Sequence, residues 1–129
     1  MSTHMPLIEF VKANAAAYIG GDVLYSELDG ECWLGRINGE ISLKGKTLDI
    51  KTKWAAYSPT RGHDVDADDW KLETGYTFTF KKVGGNTQVH VFEDRVANFQ
   101  LGGRKVTLIP RPAHRLDPPV LDESKVKGL

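Results

Sequence analysis

The chain has 129 residues, 17 Lys and Arg against 17 Asp and Glu, and 40% apolar residues, a composition too apolar and too balanced in charge for intrinsic disorder. A length near 130 fits one domain burying roughly two-thirds of the surface its unfolded chain exposes. The single Cys32 excludes an internal disulfide framework, and no apolar run approaches the ~18 residues of a membrane helix.

Met1 to Met5 include a His4-Met5 pair of the kind a common cloning junction encodes, so no role is assigned to His4. From Pro6 the pattern becomes helical. Leu7, Val11, Ala15 and Tyr18 recur at helical steps, with Ile8 and Ile19 widening the stripe, and Gly20-Gly21 ends it. Glu9, Lys12 and Asn14 form the polar face, which predicts one amphipathic helix laid on an apolar surface.

Beyond Gly21 the period changes to two and stays there until Pro110. Asp29-Gly30, Asn38-Gly39, Lys44-Gly45-Lys46, Gly84-Gly85 and Gly102-Gly103 supply turn chemistry. They divide the run into candidate strands 22–28, 31–37, 40–44, 47–57, 74–83, 87–94, 96–101 and 104–109. Tight turns imply antiparallel neighbours. A hairpin at Gly84-Gly85 would set Phe80 opposite Val89 and Phe78 opposite Val91. One at Gly102-Gly103 would set Phe99 opposite Val106 and Ala97 opposite Leu108. In 47–57, Leu48, Ile50, Trp54 and Ala56 share one face. The expected fold is mainly β (α+β): an N-terminal amphipathic helix packed on an antiparallel meander of about eight strands, curled into a barrel or half-barrel, with a two-layer sandwich as the alternative. Residues 1–109 form this domain. The tail 110–129, with Pro110, Pro112, Pro118 and Pro119, reads as extended chain.

One connection is long, Ser58 to Glu73, and connections of that length are often functional. Asp64, Asp66 and Asp68 alternate as oxygen ligands do around Ca²⁺ or Mg²⁺. An EF-hand is rejected, because Asp69 stands where its sharp turn needs Gly and Gly75 where its bidentate Glu belongs. Asp66 as the cap of a short helical turn over 67–72 accounts for the same acids without a metal. No other cofactor is indicated.

Charge is uneven along the chain. Residues 59–79 hold 2 basic and 5 acidic side chains, whereas 80–129 hold 9 and 5. Lys81, Lys82, Arg104, Lys105 and Arg111 lead the basic excess, with Trp33, Tyr57 and Phe92 as outward aromatics, a pairing used by small β domains that bind single-stranded nucleic acid.

The leading functional expectation is a non-enzymatic, cytoplasmic binding protein. It would hold a small, partly apolar ligand or a protein partner at the barrel mouth, touched by Trp54, Tyr57, His63 and Trp70. The alternatives are a nucleic-acid module on the basic 81–115 region and a metal-assisted enzyme centred on His63 and Asp64 to Asp69. Helix, strands and loop leave little chain for catalytic machinery, which favours binding. Free edges near 22–28 and 104–109 would invite a homodimer if the sheet stays open.

Overall fold

The computed structural model describes residues 2–27, 32–58 and 71–110. A short strand β1 (Ser2–Pro6) runs directly into helix α1 (Leu7–Tyr18). Pro6 sits at the N-cap with extended backbone and has no N–H to leave unpaired, while the Leu7 N–H donates to the Thr87 carbonyl at 2.8 Å. After Tyr18 the chain turns through Gly20, with φ +93°, and becomes strand β2. Gly21 is held so close to β9 that a Cβ there would lie 1.9 Å from the Ile109 carbonyl oxygen, so any side chain would force the backbones apart.

The strands that follow are β2 (Asp22–Ser26), β3 (Cys32–Lys44), β4 (Thr47–Ser58), β5 (Lys71–Thr74), β6 (Thr77–Phe80), β7 (Gln88–Phe92), β8 (Ala97–Leu101) and β9 (Arg104–Ile109). All pairings are antiparallel, in the order β1-β7-β8-β9-β2-β3-β4-β5, with β6 also on β4. Two meanders, β2 to β5 and β7 to β9, are thus joined through β2 and β9. The sheet is open rather than closed into a barrel, so the expected barrel mouth does not form. Its edges also differ from expectation: 22–26 and 104–109 pair with each other, and the outer strands are β1 at one end and β5 with β6 at the other.

The expected helix-on-sheet architecture holds. Leu7, Phe10, Val11 and Tyr18 of α1 enter a core with Val23, Ile37, Ile50, Phe78, Phe80, Val89, Phe99, Val106 and Leu108. Curl is strong. Strands three apart in a flat sheet would lie about 14 Å from one another, yet the rings of Tyr25 on β2 and Phe80 on β6 are 5.1 Å apart.

The β8–β9 hairpin has the expected register, Phe99 opposite Val106 and Ala97 opposite Leu108. Three other expectations are corrected. Asn38-Gly39 is not a hairpin turn, because β3 runs through it as one irregular strand of 13 residues. Gly84-Gly85 does not pair β6 with β7. Phe80 lies opposite Leu48 and Phe78 opposite Ile50, while β7 pairs with β1 and β8. The reason is local: Lys82 turns the chain through a left-handed conformation, φ 62°, and Val83 then enters the core and donates to the Lys46 carbonyl. The run 74–83 is also broken at Gly75 and Tyr76, and β5 takes residues 71–74, shortening the expected loop.

The third correction concerns β4. Arg36 and Ile37 are adjacent on β3 but lie opposite Trp54 and Thr52, so Lys53 is an extra residue and the alternation flips there. Leu48 and Ile50 face the core, but after the bulge Ala55 does so, and Trp54 and Ala56 face the other way. The Thr52 N–H and Oγ1–H both donate to the Tyr76 carbonyl, at 2.9 and 2.7 Å, and the Gly75 N–H donates to the Lys53 carbonyl at 3.0 Å. The break between β5 and β6 therefore sits opposite the bulge and satisfies its backbone. Strands β3, β4 and β9 consequently bury a second face carrying Leu34, Trp54, Ala56 and Ile109, outside the main core.

Candidate functional site

Two basic residues of the C-terminal half, Lys82 and Arg104, meet where the β6–β7 connection passes the β8–β9 turn. On one side, the Gly84 N–H donates to Thr87 Oγ1 and the Thr87 N–H to the Gly84 carbonyl, both at 3.1 Å, which staples residues 84–87 into a tight turn. On the other, Gly102 takes φ +64°, the value a two-residue hairpin turn needs. Between them opens a cleft of about 480 Å³ lined by Lys82, Asn86, Thr87, Gln100 and Arg104, with Gly84, Gly102 and Gly103 of the two turns. Among the described residues that line it, none is acidic. Lys82 is exposed and forms no ion pair among the described residues. The Arg104 Nε–H donates to the Leu101 carbonyl at 3.3 Å, which holds the guanidinium at the turn.

Arg104 also adjoins a row of aromatic rings at the rim of the concave face. The Tyr25 hydroxyl donates to Glu27. Burial, reinforced by that carboxylate and opposed by Arg104, pushes Tyr25 up to about 12. The Tyr25 ring meets Phe80 at 5.1 Å and Phe78 at 6.5 Å. Phe78 in turn packs edge-on against Trp33 and Tyr76, which stack on each other at 4.7 Å and 19°. Phe78 and Phe80 are buried, whereas Tyr25, Trp33 and Tyr76 are half-buried. The curl assembles this row from β2, β3, the β5–β6 link and β6.

A second opening, of about 430 Å³, is lined by Phe92, Glu93, Asp94 and Val96 at the β7–β8 turn. Phe92 is 39% exposed and continues a ladder of rings, with His90 at 4.4 Å and His4 a further 4.2 Å away across the β1–β7 pairing. His90 Nε2 is buried without a hydrogen-bond partner among the described residues. On the second buried face, Arg36 Nε donates to Asp22 Oδ1 at 2.7 Å, and its guanidinium lies over the Trp54 ring at 5.7 Å. Burial raises the Asp22 carboxyl above its ordinary range although Arg36 pulls it down.

The structure places the sequence-predicted residues unevenly. Lys82 and Arg104 line one cleft, Lys81 precedes Lys82 in the same connection, and Lys105 is exposed beside Arg104, opposite Gln100. Arg111 lies outside the described residues. Of the proposed ligand contacts, Trp54 is only 1% exposed and is covered rather than presented, because the bulge turns it onto the second buried face. Tyr57 takes the register position opposite Trp33. His63, Trp70 and the alternating Asp64, Asp66 and Asp68 lie outside the described residues. Among the described residues, no three His, Cys, Asp or Glu side chains converge on a metal position, and no helix is long and apolar enough to cross a membrane. Sequence reasoning missed Tyr25, Tyr76, Asn86 and Thr87. The polar residues around Gly84-Gly85 were the available signal, once the turn was not forced into a hairpin.

Comparison with protein-family models, with curated proteins and with solved structures gives no match for the chain.

Proposed function

We propose that the protein is a non-enzymatic binding module that takes an anionic partner in the cleft between the 81–87 connection and the β8–β9 turn. The observation that carries this reading is the meeting of Lys82 and Arg104, from separate elements, in one cleft with no carboxylate among its described lining residues. The glycines of both turns let backbone approach a ligand closely, and Asn86, Thr87 and Gln100 add polar groups to orient it. The described residues of the cleft offer cations, amides and a hydroxyl, groups suited to holding an anion. This replaces the barrel mouth with a surface the open sheet provides.

Titration calorimetry with inorganic tripolyphosphate at low ionic strength tests the proposal. Binding is expected, with affinity falling as salt rises, because cation–anion contacts are screened. Lys82→Ala combined with Arg104→Gln should weaken it by about a hundredfold or more, each charge-assisted contact contributing about 1.5–3 kcal/mol. Absence of binding, or equal binding by the double variant, overturns the assignment.

A further inference from the structure

We infer that the anionic partner is a single-stranded nucleic acid, with phosphates held by Lys82 and Arg104 and bases laid against Tyr25 and the Trp33–Tyr76 stack. This rests on the cleft reading above and names its ligand. The cleft cation Arg104 adjoins Tyr25, the first ring of the row. Arg104 lines the cleft and also influences the Tyr25 hydroxyl, and from Tyr25 the contacts run through Phe78 to Trp33 and Tyr76. The buried Phe78 and Phe80 hold the rims of the row in place, while the three outer rings stay half-exposed. Trp33 and Tyr76 stack near-parallel, so each ring fixes the orientation of the other.

Three points select single strands. An inorganic polyanion or an acidic peptide would use the cations but has no flat ring to lay against these rings. A duplex keeps its bases inside its own stack and has none to lay against the rings. An unpaired strand offers alternating phosphates and exposed base faces, which cationic grooves with aromatic side chains bind without reading sequence. Lys81 and Lys105, both exposed and each adjacent in sequence to a cleft cation, extend the positive charge along the backbone of such a strand.

The test compares four probes on the full chain at low salt: a labelled oligothymidylate of about 12 nucleotides, the same length as a duplex, tripolyphosphate, and a polyglutamate peptide of similar length. The oligothymidylate is expected to bind at least about tenfold more tightly than the other three, with a steep salt dependence. Trp33→Leu should lower its affinity by about fivefold or more and leave tripolyphosphate affinity unchanged, whereas Trp33→Phe, which keeps a ring, should retain most of it. If Trp33→Leu does not fold by circular dichroism, Tyr76→Leu carries the same expectation. Equal binding of duplex and single strand, or unchanged oligothymidylate affinity in a folded ring variant, overturns the inference. So does polyglutamate matching the oligothymidylate, which would make the partner an acidic protein. Tripolyphosphate binding with no preference for the oligothymidylate removes the nucleic acid but keeps the cleft. Failure of every anion to bind removes the cleft itself.

Discussion

The β8–β9 hairpin and the β3–β4 ladder are built from similar material and behave differently. In the hairpin, alternation is unbroken: Phe99, Val106, Ala97 and Leu108 face the core, while Asn98, Gln100, Lys105 and Thr107 face away. In the ladder, one extra residue at Lys53 reverses the alternation, so Ile50 and Ala55 reach the main core while Trp54 and Ala56 reach a second covered face. A regular pair thus gives one dry side, and a bulged pair distributes its apolar side chains over two. The same irregularity places Tyr76 opposite Thr52 and next to Trp33, so the ring platform depends on the bulge.

The largest contrast is expected at positions outside the main core. Trp54→Ala should destabilise the protein by about 3–5 kcal/mol, the usual cost of truncating a buried large aromatic. Thr107→Ala, on the outward face of the hairpin, should cost no more than about 0.5 kcal/mol. Urea unfolding measures both, and similar values would remove the distinction between the two ladders.

Next comes the ion pair on the second face. Arg36→Ala leaves Asp22, whose side chain is 3% exposed, without its partner and should cost about 2–3 kcal/mol near neutral pH. Burial already raises the Asp22 carboxyl, and losing Arg36 raises it further. A carboxyl raised by folding keeps its proton in the native state after the unfolded chain has released it, so its contribution to stability is lost as pH rises through the folded value. The cost of Arg36→Ala should therefore shrink as pH is lowered from about 7 toward about 4. Adding Asp22→Asn should abolish that dependence. A cost independent of pH would show that Asp22 is not the titrating group.

The smallest effect concerns the bulge. Thr52→Val keeps the Thr52 N–H bond to the Tyr76 carbonyl and deletes the hydroxyl bond at 2.7 Å, so a loss of about 1 kcal/mol is expected. Near-UV circular dichroism should change with it, because Tyr76 carries one ring of the Trp33 stack. An unchanged aromatic spectrum would uncouple the platform from the bulge.

Legibility followed the range of the interactions. The helix stripe through Leu7, Val11 and Tyr18 and the Gly102-Gly103 register rest on spacing within a few residues, and both were readable. Gly84-Gly85 resembles a hairpin turn, and a hairpin there would put Phe80 opposite Val89. The competing pairing of β6 with β4 is made across a longer span and stabilised by burying Val83, which no local pattern announces. The basic residues Lys82 and Arg104 were visible as a charge excess, but their convergence was not.

By itself, the sequence determined the class of structure and its raw chemistry. Period-two runs punctuated by glycine commit residues beyond Gly21 to antiparallel strands, an amphipathic stripe commits the preceding residues to a helix, and a neutral total conceals a basic C-terminal half. The tertiary structure decided which strands are neighbours, which face Trp54 occupies and which cations share a cleft. The physical reason is that backbone propensity and turn chemistry act between near neighbours. A bulge, a sheet's curl and the pairing of its first meander with its last are selected by how the whole apolar surface is buried at once.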